Sequence, residues 1–254
     1  MLLYAPYRGI SMGLIKDTNY ITLIGIKEKI YETEMGNTIY ILNNRQKYKE
    51  FGEDYRNLSE SINREYRDTL SIQTESYAHD LIAFPQVVIA TENELYGIIG
   101  DYIDGIPLSE LDQETNLDYL LYIIEYLERK IIEASESGWN LEDLHEDNII
   151  INKDNQNQPV KIIDPDFYTL KDKSDDFAVT QAYRRNLCRL FRSIIHGVLP
   201  EFITSGNLYE RLEKEYWQSC DGNYLSSTFI KDLIIKSGLR TEKEQNIKTL
   251  RKTL

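Results

Sequence analysis

Two short aliphatic runs, each with acids at one end, constrain this chain more than any other feature. The stretch "NLEDLHEDNIII" (140–151) sets Glu142, Asp143, Glu146 and Asp147, with His145 and Asn148, directly ahead of Ile149, Ile150 and Ile151. A little further on, "VKIIDPDF" (160–167) closes a second apolar run with Asp164 and Asp166. Runs this short, bounded by turn-forming residues, read as strands and not as helices. Paired as an antiparallel hairpin, the start of "NIII" meets the end of "KII". That pairing predicts Asn148 close to Asp164, with Asp143 on the loop just before. A carboxylate and a carboxamide are hard oxygen ligands that suit Mg²⁺, and a further carboxylate can orient a hydroxyl for attack. Each acid alone would serve as a turn cap. Their joint spacing favours chemistry.

The flanking sequence predicts an α+β chain. Residues 19–42 alternate apolar and polar positions around the turn "EMGN", which predicts two or three strands ending in "TIYIL". Residues 45–72 are highly charged and lack proline, which predicts one or two helices near Gly52. A hairpin follows at 84–105, from "QVVIAT" through "ENE" to "LYGIIGDYI". Leu117, Leu120, Leu121, Ile124, Leu127 and Ile131 then recur at helical spacing, and Gly138 is suited to end that helix. Residues 176–254 read as helices broken at "GVLPEF" and "SGNL". The expected organisation is a small β-rich part, 1–104, and a larger helical part, 105–254.

Composition narrows the partners. With 254 residues and 41% hydrophobic content, a sizeable core is possible. Nineteen tyrosines against two tryptophans point to half-buried rings with polar tips. A formal charge of -13 repels a nucleic-acid backbone, so no nucleic-acid partner is expected. Cys188 and Cys220 form neither a disulfide framework nor a metal-ligand spacing. "MLLYAPYRGISMG" is interrupted by Pro6 and Arg8, unlike a signal peptide, and no run approaches the ~20 apolar residues of a membrane span. These features predict a cytoplasmic protein with reduced thiols and no membrane partner. His79 is expected at the surface and His196 near a helix end, without partners for a zinc site.

"DLHEDNIII" followed by "VKIIDPDF" resembles the catalytic and metal-binding loops of the protein-kinase-like superfamily. That superfamily includes eukaryotic-type protein kinases and the aminoglycoside and choline phosphotransferases. The resemblance covers most of the chain and implies a bilobal protein-kinase-like fold with a small β-rich N-lobe and a larger helical C-lobe. It implies ATP and Mg²⁺ as cofactors and a protein or small-molecule hydroxyl as acceptor. Asp143 would position or deprotonate that hydroxyl. Asn148 and Asp164 would hold Mg²⁺ on the phosphates, with Asp166 adding an oxygen. Ile150 would floor the adenine site, the backbone of Asp101 and Ile103 would read the adenine edge, and Gly25 would belong to a degenerate phosphate-covering loop.

The chain departs from the family at several positions. Leu141 stands where His is usual, and Pro165-Asp166 replace the residues after the metal-binding Asp. His145 matches the small-molecule phosphotransferases, whereas the 42-residue span from Asp101 to Asp143 resembles protein kinases. "TIYIL" carries no lysine at the expected third-strand position, Leu42, which leaves Lys27, Lys29 or Lys47 to serve and leaves the expected helix glutamate, Glu65, without a partner. A protein acceptor is the expectation. A small-molecule phosphotransferase, a pseudokinase that binds without turnover and a nucleotidyl transferase are the alternatives.

Overall fold

The computed structural model describes residues 2–4, 26–32, 36–42, 45–53, 69–70, 72–73, 76, 79–90, 95–152, 157–198, 226–236 and 246–253. Gly25, Glu65, Cys220, the "ENE" turn and the 54–68 part of the helices expected over 45–72 lie outside these residues. The chain divides into two compact units. One comprises Met1–Ile103 with Asp164–Asp166, and the other Asp104–Ile163 with Phe167–Leu254. The architecture is α+β, with antiparallel sheet dominating the first unit and helix the second.

Among the described residues the first unit holds six strands: β1 (Leu2–Tyr4), β2 (Ile26–Glu32), β3 (Thr38–Leu42), β4 (Gln46–Glu50), β5 (Val87–Ala90) and β6 (Leu95–Asp101). Their order is β1-β5-β6-β4-β3-β2 with every pairing antiparallel. Strand β4 corrects the sequence expectation of helix over 45–72. "QKYKE" is charged enough to pass for a solvated helix, but it alternates with period two. Tyr48 turns to one face and packs with Leu42, Ile89 and Ile99, stacked on Tyr40 at 5.6 Å between ring centroids. Lys47 and Lys49 take the other face, since successive strand residues point oppositely. The β3 and β6 residues directly opposite Lys49 are Ile39 and Ile98, and Ile98 packs with Phe51, Leu70, Val88 and Leu95. Pairing on both sides outweighs the weak helical preference of two lysines.

The second unit holds the predicted hairpin and enlarges it. Strands β9 (Ile149–Ile151) and β10 (Val160–Ile162) pair antiparallel, with Ile149 opposite Ile162, and β7 (Ile106–Pro107) adds a third strand against β9. All three β9 isoleucines are buried. Gly105 makes the third strand possible, because at φ +152 any Cβ would lie 2.5 Å from the Ile151 carbonyl oxygen. A second ribbon pairs β8 (Trp139–Asn140) with β11 (Thr169–Leu170). The described helices are α1 (Leu117–Glu136), α2 (Asp176–Val198), α3 (Ser226–Lys236) and α4 (Ile247–Thr253). Helix α1 starts where the Asn116 side chain accepts from the Asp118 N–H. It buries the predicted stripe Leu117, Leu120, Leu121, Ile124, Leu127 and Ile131. Among the described residues, no helix is long and apolar enough to cross a membrane.

Candidate active site

The first unit gathers three charged side chains. Asp164 follows β10 in the chain and takes φ +52, a left-handed backbone that Asp tolerates better than most non-glycine residues. Lys47 Nζ lies 2.5 Å from Asp164 Oδ1, and Lys49 Nζ lies 3.5 Å from Oδ2. The two lysines reach one carboxylate because they sit two apart on one face of β4. All three side chains are largely buried, with Lys49 the deepest at 8% exposure. Burial alone would raise the Asp164 pKa, but the ammonium groups of Lys47 and then Lys49 hold it well below the usual carboxylate range. The adjoining turn Pro165–Phe167 is tied down as well, since buried Gln73 donates from Nε2 to the Pro165 carbonyl at 2.6 Å. The backbone of Asp166 belongs to that turn, and its side chain lies outside what the structure describes.

These contacts bear on the lysine absent at Leu42. The strand after "TIYIL" carries the lysines that reach Asp164, so β3 ends without a lysine while β4 brings two. Lys47 is among the sequence candidates; Lys49 is not. Its signal was present as Lys-Tyr-Lys alternation, masked by the helical reading of that segment. Of the other candidates, Lys29 instead pairs with Glu32 at 2.9 Å. At the end of β6, Asp101 accepts from Gln86 Nε2 at 2.6 Å, and the neighbouring Tyr102 N–H donates to the Arg45 carbonyl. Ile103 follows, partly buried.

The second unit holds Asp143 and Asn148. Asn148 ends the turn Glu146–Asn148, and its N–H donates to the His145 carbonyl at 3.1 Å. Its buried side-chain Nδ2 donates to the Asp143 carbonyl at 3.1 Å and to Asp143 Oδ2 at 3.4 Å. Its backbone carbonyl accepts from Ile163 N–H at 2.9 Å, which continues the β9–β10 pairing to the residue before Asp164. The hairpin therefore sets the position of Asn148, and Asn148 sets that of Asp143. The Asp143 side chain is 45% exposed, open enough to meet a second molecule. His145 stands between two carboxylates, with Nε2 3.9 Å from Asp143 and Nδ1 3.8 Å from Asp147. Asp147 also accepts from Ser109 Oγ at 2.5 Å, a side-chain contact with a residue 38 positions earlier. Ile150 is buried opposite Lys161 and Pro107.

Leu141 cannot brace this loop through its side chain, and a residue that sequence reasoning missed does so. Asn186 of α2 is fully buried. Its Oδ1 accepts from the Leu141 N–H at 2.8 Å. Its Nδ2 donates to Ser135 Oγ at 2.9 Å and to the Trp139 carbonyl at 2.8 Å. Three hydrogen bonds from one carboxamide thus tie α1, β8 and the start of the acidic loop to α2. An asparagine within a helical segment gives no sequence signal of this role. His196 lies in the last turn of α2, 3.7 Å from Glu146. His79 is partly exposed; its Nδ1 accepts from the N–H groups of Leu81 and Ile82 and its ring meets Phe84 edge-on.

In the first unit Asp164 is held as a carboxylate by its two lysines. In the second unit the Asn148 carboxamide is anchored through its nitrogen, which leaves its oxygen as the end able to ligate. Each is by itself a hard oxygen donor. Among the described residues, no group of three or more His, Cys, Asp and Glu side chains is placed to hold a metal by itself. No family model matches the chain, and no curated protein matches its sequence.

Proposed function

We propose that the chain is an ATP- and Mg²⁺-dependent phosphotransferase of the protein-kinase-like superfamily, transferring a phosphoryl group to a hydroxyl, with a protein acceptor favoured over a small molecule. The observation that carries this reading is the convergence of Lys47 and Lys49 on Asp164. Phosphoryl transfer depends on cations placed against phosphate oxygens. The pseudokinase alternative starts from the lack of a third-strand lysine, and Lys47 and Lys49 beside Asp164 support the active reading over it.

Each residue has a role in this reading. Asp164 and Asn148 would hold the metal, which when bound neutralises charge on the phosphates. Lys47 and Lys49 would meet the phosphate oxygens. Asp143 would accept a hydrogen bond from the acceptor hydroxyl and orient it. Its carboxylate has the exposure this needs, and the amide of Asn148 fixes its direction. Asn186 keeps the backbone ahead of Asp143 in place. Asp101 and Ile103 would offer backbone groups to the adenine, and Ile150 an apolar surface.

The test is incubation with γ-labelled ATP and Mg²⁺, alone and with cell extract, beside a thermal melt. The expected result is label on the protein or on an extract component, and a melting temperature that rises with MgATP, because a ligand of the folded state stabilises it by mass action. Absence of both at millimolar ATP would overturn the reading. A melting shift without transfer would favour the pseudokinase.

A further inference from the structure

We propose that Lys47 and Lys49 keep Asp164 closed to a free divalent cation, so that the metal enters only together with a polyphosphate that takes over the ammonium groups. This inference rests on the phosphotransferase reading and concerns the order in which its ligands bind. The two oxygens of Asp164 are engaged separately, Oδ1 by Lys47 and Oδ2 by Lys49. A cation approaching either oxygen meets an ammonium group already there, at a separation where like charges repel strongly in a partly buried site. Displacing Lys47 alone would strip a largely buried ammonium of its carboxylate partner, an unfavourable exchange. A polyphosphate changes both terms. Its oxygens offer the lysines a replacement anion, and they bring the metal with part of its shell already made.

Two features of the chain support a built device over a chance contact. The lysines alternate on one strand with Tyr48, whose ring is locked in the core on the opposite face, so the register that buries Tyr48 also aims both ammonium groups. Asp164 is held at φ +52, and a non-glycine residue kept in that region is a feature of functional sites. Gln73 fixes the next residue through the Pro165 carbonyl, so the carboxylate is presented from a fastened turn.

The experiment is titration calorimetry of the whole chain with Mn²⁺ alone, inorganic tripolyphosphate alone and the two premixed. The wild type is expected to bind the mixture at least 10-fold more tightly than Mn²⁺. Lys47→Met is expected to gain about 10-fold or more in affinity for Mn²⁺ alone and to lose affinity for tripolyphosphate. That gain should vanish in Lys47→Met/Asp164→Asn, which separates Asp164 from other acids on this acidic chain. Lys47→Arg keeps the charge and should show none of the gain in affinity for Mn²⁺ alone. Lys47 is the less buried lysine, so its variants also avoid the folding burden of changing Lys49. Wild-type affinity for Mn²⁺ alone equal to that for the mixture would overturn the proposal. So would a Lys47→Met chain with unchanged Mn²⁺ affinity, or a gain that survives Asp164→Asn. Failure of the phosphotransferase reading looks different: the lysine-dependent binding pattern persists, and no phosphate leaves ATP.

Discussion

Asp164 and Asp143 are two aspartates from one sequence pattern, yet they sit in opposite kinds of surroundings. Asp164, in the β-rich unit, is largely buried, gripped by two ammonium groups and held on a left-handed backbone. Asp143, in the helical unit, is nearly half exposed and is held by neutral donors, the Asn148 amide and a loop fastened by Asn186. Cations on a buried carboxylate keep it ionised and suit it to counter-ions and metals. The carboxylate of Asp143 meets the Asn148 amide at 3.4 Å and lies 3.9 Å from His145 Nε2, and its exposure gives it the access that the proposed role at a hydroxyl needs. The difference teaches that role follows environment more than residue type.

The largest expected effect breaks the first half of this comparison. Asp164→Asn keeps the shape and the tolerance of left-handed backbone but removes the charge. Metal-dependent phosphoryl transfer should fall by about 1000-fold, and the chain should lose about 3 kcal/mol of stability because two largely buried ammonium groups lose their carboxylate. The pH dependence follows from the sign of the shift. A carboxyl held below its ordinary value contributes stability that is present above about pH 4 and is lost as pH falls through its folded value. Acid unfolding followed by circular dichroism should therefore be less pH-dependent in Asp164→Asn than in the wild type. An unchanged acid profile would remove Asp164 from the ion-pair role.

The second effect tests the exposed acid. Asp143→Ala should lower transfer by about 100-fold, the range for losing a positioned base, with ATP affinity within about twofold of wild type. Measuring kcat apart from nucleotide binding separates the two aspartates. If Asp143→Ala loses ATP binding as Asp164→Asn does, the division of labour is wrong.

A third effect sharpens the account of the neutral scaffold. Asn186→Ala leaves the Leu141 N–H and the Trp139 carbonyl buried without their partner. It should cost about 3 kcal/mol by chemical denaturation and about 10-fold in kcat, with KM for ATP little changed. Asn186→Asp retains the acceptor for Leu141 and should recover part of kcat. A variant that is destabilised yet fully active would limit Asn186 to folding.

The smallest effect concerns a third kind of acid, buried and held at a helix start. Glu128 of α1 is buried, and its Oε1 accepts from the Ser227 N–H at 2.8 Å in the first turn of α3. Burial raises its pKa despite that hydrogen bond. The folded chain therefore binds the proton more tightly than the unfolded chain does. This contribution is fully present below the ordinary value of 4.5 and is lost as pH rises through the folded value. Glu128→Gln keeps an acceptor for Ser227 and should flatten stability over pH 4 to 7, with a gain of at most about 1 kcal/mol near neutrality. A loss of several kcal/mol would mean that the charge itself holds α3.

Much of this was legible in the residues. Ile149, Ile150 and Ile151 and "VKII" read as two short buried strands, because β-branched runs of that length bounded by turn residues favour a hairpin. The α1 stripe and Gly138 announced a helix by spacing and by its C-terminal stop, whereas the Asn116 cap came from the structure. The pairing that carries Asn148 to the end of β10 follows from hairpin geometry and is met by the Ile163–Asn148 hydrogen bond. The tertiary structure alone decided the rest. "QKYKE" has the composition of a solvated helix and became a strand because β3 and β6 flank it and Tyr48 had a core to enter. That choice turned Lys47 and Lys49 to one face and onto Asp164, which lies 117 and 115 positions away in the chain. Asn186 likewise gave no local sign, since its three partners come from α1, β8 and the acidic loop. Local periodicity records which side of an element is buried. It holds no record of which distant polar group will stand opposite, because that is settled only when the elements pack.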